Sequence, residues 1–538
     1  MTRLFRGQYF LVALLARCGV TAPSTPLDIE TSVGTFRGFL NTTSNLEEWL
    51  GVPYAQPPIG NLRFKPPVAL NPLPGITLTT HFGDACPQPV SANTVGVNIS
   101  ENCLVLNVFR PPNTSANSNL PVILWIHGGA YMTGASSDPQ FNPAFLVNRS
   151  IKIGKPLVFI SINYRLNTFG FLASSHVEPQ DLNIGLLDQR QAMLFIKNEV
   201  SKFGGDPEKS VGGGAIEAAL LYPSDTSLFR AGIIDSSTGP FKSAPFPAQY
   251  DAPGKPFSRL VEAVGCPLSS QSVSCLQAVP FDILLNVSNT LLNSILNQQL
   301  WQPAPGGVGN LVTERPSKKI ASGDFLRVPI IWGTNLNEGT TFSKSVLGLP
   351  QMTPAEEAAR FDEFIGELIL DSNTLTTDVL NEINTLYPAD DPSLGGAFNT
   401  GDSLFDRSEA WYADNMYLAP RRLYFNKAAP TQKLFAYFFT QFVPGQNRTF
   451  GVFHGSELLL IFGDAPPPGV TDLATIFTDA YLNFVSDLDP GSFWPQYNLK
   501  DIPVLQLMQD NITVIPDTFL VQKTDFLNSA EVLNEFEK

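Results

Sequence analysis

The sequence is poor in the residues that build metal and redox centres. It has five cysteines and four histidines in 538 residues, and no C-x-x-C pair. A zinc site needs three or four such ligands at close spacing, so metal chemistry has little to work with, and nothing points to an organic cofactor. Positive charge is scarce as well. Lys and Arg number 34 against 49 Asp and Glu, a net charge of −15 with pI about 4.8. Such a surface repels phosphate backbones, which argues against a nucleic-acid partner. Repeats and long charge blocks are absent. Past the N-terminus, no apolar stretch is long enough to span a bilayer. The polar C-terminus, "AEVLNEFEK", excludes a hydrophobic anchor-attachment tail.

What is present is ordinary globular material, 43% hydrophobic with mean hydropathy +0.03. Arg3 and Arg6 precede a short apolar run, Tyr9 to Ala16, and Val20-Thr21-Ala22 suits cleavage. Residues 1–22 therefore read as an export signal, interrupted at Arg17. The alternative, a membrane anchor, needs about 20 apolar residues. Cys18 leaves with the signal. Cys86, Cys103, Cys266 and Cys275 remain, an even set open to three pairings in an exported chain. Pairing nearest neighbours gives Cys86–Cys103 and Cys266–Cys275. Sequons at Asn41, Asn98, Asn113, Asn148, Asn286, Asn447 and Asn511 could carry glycans, although such short motifs also arise by chance.

Continuous apolar runs at Leu120 to Ala130 and Lys155 to Arg165 suit strands buried on both faces. The stretch 184–204 has helical spacing and a glycine stop. Strand-then-loop patterns recur at 228–237 and 327–339, and another strand-like run spans 434–442. The alternation predicts an α/β fold with chemistry on loops at the strands' carboxyl ends. No linker divides the chain, so residues 23–538 read as one large domain with insertions.

Four features could carry chemistry. "IHGGAY", Ile126 to Tyr131, follows a strand, and its glycines could turn backbone N–H groups toward one point, as an oxyanion requires. On its own H-G-G is also a tight turn. His454, in an apolar Phe-rich setting, is the best of the histidines for a general base, though a lone histidine there is more often structural. Glu338 follows a strand; alone, it reads as a solvated loop carboxylate. The fourth feature is a gap. "FGGDPEKSVGGGAIEAALLYP" passes from the end of one helical run to glycines that open the next, with no buried strand and no G-x-S-x-G anywhere in the chain.

Together these stretches resemble the type-B carboxylesterase/lipase family of α/β-hydrolases, which includes secreted fungal lipases and cholinesterases. The resemblance runs through residues 51–67, 101–108, 125–131, 163–171, 183–192, 203–207, 333–339 and 453–458. It implies an α/β-hydrolase fold, a large mostly parallel sheet flanked by helices. It also implies a Ser–Glu–His triad with Glu338 and His454, an oxyanion hole at Gly128, Gly129 and Ala130, and the disulfides Cys86–Cys103 and Cys266–Cys275. The implied activity is hydrolysis of carboxylic esters by a secreted enzyme without cofactor. The short Cys86–Cys103 loop tilts the expectation toward esterase over long-chain lipase.

The departure is the nucleophile. By this comparison roughly seven residues are missing, a strand and the leading glycine of the elbow. Ser210 is the one candidate left, expected at the start of a helix from Val211, near the site but out of reach of His454. Glu208 stands where a small residue is needed, and Pro207 and Lys209 make a poor central strand. The chain as written is thus expected to be impaired, and the gap's sharp edges favour an incomplete gene reading over evolved loss. The rival is a non-catalytic binding or adhesion protein on an esterase scaffold.

Overall fold

The computed structural model describes residues 27–239 and 241–538. The expected export signal, 1–22, lies outside them. Thirteen strands form one sheet: β1 (Leu27–Thr31), β2 (Gly34–Asn41), β3 (Leu46–Pro53), β4 (Ile76–Leu78), β5 (Val105–Arg110), β6 (Leu120–Ile126), β7 (Val158–Ile162), β8 (Gly205–Gly214), β9 (Ala231–Asp235), β10 (Ile330–Asn335), β11 (Leu434–Phe439), β12 (Pro503–Leu507) and β13 (Thr513–Pro516). Their order is β1-β2-β3-β5-β7-β6-β8-β9-β10-β11-β12-β13, with β4 beside β2. The run from β7 to β12 is parallel throughout. β1, β2, β3, β5 and β13 join antiparallel, so the sheet is mixed, with a parallel centre.

The apolar runs become strands because both faces are covered. In β6, Val122, Leu124 and Ile126 pack into one core while Ile123 and Trp125 pack into the core on the opposite face. β7 divides in the same way, with Val158, Ile160 and Ile162 against Phe159. The 184–204 stretch forms a helix at Ile184–Glu199, a 3-10 turn at Val200–Phe203, and a stop at Gly204 with φ 87°.

β8 overturns the expected gap. The sheet position between β6 and β9 is filled, and the filling material is "GDPEKSVGGG". Ser210 pairs with Val122, and the register continues to Gly214 opposite Ile126; Val211–Gly213 also pair with Ala231–Ile233. No helix starts at Val211; the next one is the short Glu217–Leu221. The objection from Pro207, Glu208 and Lys209 is met by an irregularity. Gly205 pairs with Leu120 and Ser210 with Val122, so the residues between bulge out of the ladder. Glu208 is exposed there and bonds Lys197 at 2.7 Å, while Lys209 bonds Asp206 at 3.0 Å. Pro207 is therefore not asked for a ladder hydrogen bond, and no charge enters the buried layer.

Two disulfides close short loops, Cys86–Cys103 with Cα atoms 5.1 Å apart and Cys266–Cys275 at 5.8 Å. This is the nearest-neighbour pairing. Beside the sheet's parallel centre, Arg165 and Asp188 form a buried bidentate pair at 2.7 Å, and Arg165 also donates to the Lys65 carbonyl at 2.7 Å.

Removing one partner of such a pair leaves an uncompensated charge in the core. We expect Asp188→Ala to cost about 3–5 kcal/mol in denaturant unfolding. A loss below about 1 kcal/mol would show that the Arg165 charge finds water or another partner. Non-reducing peptide mapping should recover Cys86 with Cys103 and Cys266 with Cys275, and no crossed peptide.

Candidate active site

The ends of β6, β8 and β9 open on one cavity of about 380 Å³. Its lining includes Gly128, Gly129, Ala130, Ala215, Glu217, Lys242, Phe342, Tyr417 and His454. This is where a parallel sheet places chemistry, at the carboxyl ends of its strands.

Glu338 and His454, 116 residues apart in sequence, meet here. His454 Nδ1 lies 2.8 Å from Glu338 Oε2. The other carboxylate oxygen accepts the Asn335 backbone N–H at 2.6 Å, which ties the acid to the end of β10. Glu338 is buried at 1% exposure, so it is not the solvated loop carboxylate that its local sequence suggests. The imidazole packs against Phe342 and Tyr417, with centroids 5.4 and 4.9 Å away, and stays half-buried on the cavity side. A carboxylate on Nδ1 fixes the tautomer that leaves Nε2 free to accept a proton.

The glycine loop follows β6. Gly129, Ala130 and Tyr131 all have positive φ, at 108°, 55° and 66°. A Cβ on Gly129 would come within 2.1 Å of the Thr133 carbonyl oxygen, so only glycine fits there. Among the described residues, no protein group accepts the Gly129 or Ala130 N–H. These donors border the cavity beside His454, an arrangement that can hold a developing oxyanion. His127 is a structural neighbour. It is buried against Tyr164, with ring centroids 4.7 Å apart, and burial pushes its pKa down to about 4.

Ser210 is not part of this group. It sits in the body of β8 at 3% exposure, and its carbonyl accepts the Arg230 N–H at 2.9 Å. Gly214, at the strand's end, is four steps further on, about 13 Å at parallel-strand rise. The turn that enters the cavity is Gly214-Ala215. Gly214 takes the positive φ, 75°, and Ala215 donates its N–H to the Ile126 carbonyl at 3.1 Å. The expectation that Ser210 caps a helix beside the site fails because the sheet has drawn the serine down into its interior. The backbone turns as an elbow would, but neither residue of the turn has a hydroxyl.

Sequence reading missed four ionisable groups. Glu457, three residues after His454, is fully buried and accepts a hydrogen bond from Asn335 Nδ2. Burial, and then the neighbouring Glu338, hold its pKa well above the usual carboxylate range. Asp235 accepts hydrogen bonds from Tyr481 at 2.5 Å and Tyr437 at 3.2 Å, and burial raises its pKa to about 6. Burial likewise raises Glu217 to about 7, although Ser237 donates to it. Lys242, at 7% exposure, is lowered to about 7 by burial alone. The "HGSEL" spacing could have flagged Glu457; the other three had no sequence signal. Among the described residues, no group of three or more His, Cys, Asp or Glu could hold a metal ion.

Comparison with known proteins places this geometry in context. The carboxylesterase family profile matches residues 25–526. Para-nitrobenzyl esterase of Bacillus subtilis is 32% identical, over 91% of this chain and 96% of its own. Secreted lipase 1 of Botryotinia fuckeliana is 29% identical, over 90% and 89%. Among solved structures, Aspergillus niger EstA superposes with TM-score 0.78 at 26% identity, covering 95% of this chain and 99% of its own. A PNB esterase gives 0.75 at 25% identity, covering 94% and 100%. The chain belongs to the carboxylesterase family, an α/β-hydrolase by fold and a carboxylic ester hydrolase by family resemblance.

Proposed function

We propose that this is an exported carboxylic ester hydrolase whose acyl-transfer site is complete except for its nucleophile. The observation that carries the reading is the His454–Glu338 contact of 2.8 Å, opening on the same cavity as the glycine loop. In this mechanism a hydroxyl attacks the ester carbonyl. His454 takes its proton at Nε2 and returns it to the leaving alcohol. Glu338 orients and stabilises the imidazolium, and the Gly129 and Ala130 N–H groups hold the oxyanion, with Gly128 shaping the loop. The chain itself supplies no hydroxyl at Gly214-Ala215, so turnover as written is residual.

Export is supported by the two disulfides, which persist in oxidising compartments, and by the relative named a secreted lipase. None of the seven sequon asparagines is buried, as glycosylation would need. The substrate is a small-molecule or lipid ester. Among the described residues, no single helix is long and apolar enough to cross a membrane.

A second reading, a non-catalytic ligand-binding protein on this scaffold, is favoured by one observation: the turn holds Ala215 where attack would begin. One experiment separates the two. Ala215→Ser places a hydroxyl on the cavity wall. Assayed on a short-chain aryl ester, it should raise turnover at least about ten-fold over the unmodified chain, and a further His454→Ala change should abolish the gain. Gly214→Ser should fail, because a Cβ there meets the Ile126 carbonyl oxygen at 2.1 Å. Ser210→Ala should leave activity unchanged. If Ala215→Ser folds and stays silent, the binding-protein reading wins. Robust turnover by the unmodified chain that is lost in Ser210→Ala would overturn our account of β8.

A further inference from the structure

Lys242 lies in the loop after β9 and lines the cavity, and its ammonium has no hydrogen-bond acceptor and no ion-pair partner among the described residues. It rests 4.8 Å from the centre of the Phe342 ring and 5.7 Å from that of Tyr412. Phe342 is also the ring against which His454 packs, so the ammonium and the imidazole share one aromatic wall. Ring faces offset part of the cost of burying a cation, but they leave its directional N–H donors unmet. An unpaired buried ammonium is strongly destabilising. Its lowered pKa, about 7, reflects burial with no carboxylate near enough to oppose it.

The other charged or titratable groups on the wall do not answer it. Glu217 is bonded by Ser237, Asp235 by two tyrosines, Asp138 by the Gln140 N–H, and His454 by Glu338. Three other donors that line the cavity are also buried and unmatched: Asn297 Nδ2, Ser236 Oγ and Trp125 Nε1. Asn297 is held at φ 52°, in the left-handed region. Four unanswered donors in one cavity, one of them a cation, describe a place for an anion.

We propose that Lys242 receives the free carboxylate of a bound ligand, so that the preferred ligands are half-esters of dicarboxylic acids rather than neutral esters. The neutral ester group would face the glycine loop and His454, and the carboxylate would close the charge on Lys242 with Asn297 beside it. The half-ester part of this inference rests on the proposed ester-hydrolase function. The carboxylate part rests on Lys242 and its surroundings.

The test is calorimetric binding to the full chain at about pH 6.5, below the Lys242 value so that the ammonium predominates. The probes are monomethyl adipate and dimethyl adipate. We expect the half-ester to bind at least about ten-fold tighter than the diester. In Lys242→Met the two should bind within about three-fold of each other, with the diester's affinity unchanged. Lys242→Met should also melt at or above the parent temperature, since it removes an unpaired buried charge. Equal affinities in the parent, a preference that survives Lys242→Met, or no binding of either probe would overturn the proposal. So would a large drop in melting temperature, which would make Lys242 a structural residue. Lys242-dependent binding of the half-ester with no binding of the diester would sustain the carboxylate site and sink the ester reading. Equal binding of both would do the reverse.

Discussion

The structure turns on the sheet position between β6 and β9. Each of those strands presents a row of N–H and C=O groups to that position, deep in the molecule and away from water. Leaving it empty would strand several buried polar groups at about 1–3 kcal/mol each. Any segment that can reach both neighbours and offer a small, uncharged backbone there will be drawn in. The segment 211–214 is Val-Gly-Gly-Gly, which satisfies that demand. The charged residues just before it are pushed into a bulge at the sheet's edge, where Lys197 and Asp206 bond them.

The local geometry of the site is a consequence of that filling. Gly214 falls level with Ile126 at the top of β6, so the chain turns where the glycine loop begins. The helix beyond the turn is short, the five residues Glu217–Leu221. The Ser210 hydroxyl is level with Val122, in the sheet's interior. The Glu338–His454 contact does not depend on β8, since Glu338 follows β10 and His454 sits in a loop that bridges Asn337 through Phe453. The composition of one strand thus decides what stands at the turn, while the Glu338–His454 contact is set independently of it.

How legible this was depends on the element. β6, β7, β9 and β10 announce themselves as apolar runs between loops, and Ile184–Glu199 as a spaced apolar face with a glycine stop. β8 does not. It contains Pro207, three charged residues and four glycines, a composition that local propensity assigns to a turn and a helix start. Its strand state is imposed by its neighbours, and tertiary demand of that kind has no local signature. His454 and Glu338 were found through the spacing of known motifs, while their contact could be tested only in three dimensions. Lys242 was invisible for a simpler reason: in sequence, a lysine in a polar loop looks solvated. Only the folding of Phe342 and Tyr412 over it makes it a buried cation.

The ionisable groups around the cavity show what kind of pocket the fold has kept. Glu457 behind Glu338, Asp235 between two tyrosines, and Glu217 beside Ser237 are all pushed toward their neutral forms by burial. A carboxylic acid that holds its proton behind Glu338 adds no second negative charge to the pair. The attraction between Glu338 and a protonated His454 is therefore not divided with Glu457. Lys242 is pushed the same way, toward the free amine. Burial thus works against charge, of either sign, at several groups around the cavity. Of these groups, Lys242 is the one with no partner among the described residues to meet charge that enters with a ligand. Preorganisation asks for donors and charges fixed before a ligand arrives, and the pocket beside Gly214-Ala215 has both, although that turn carries no hydroxyl.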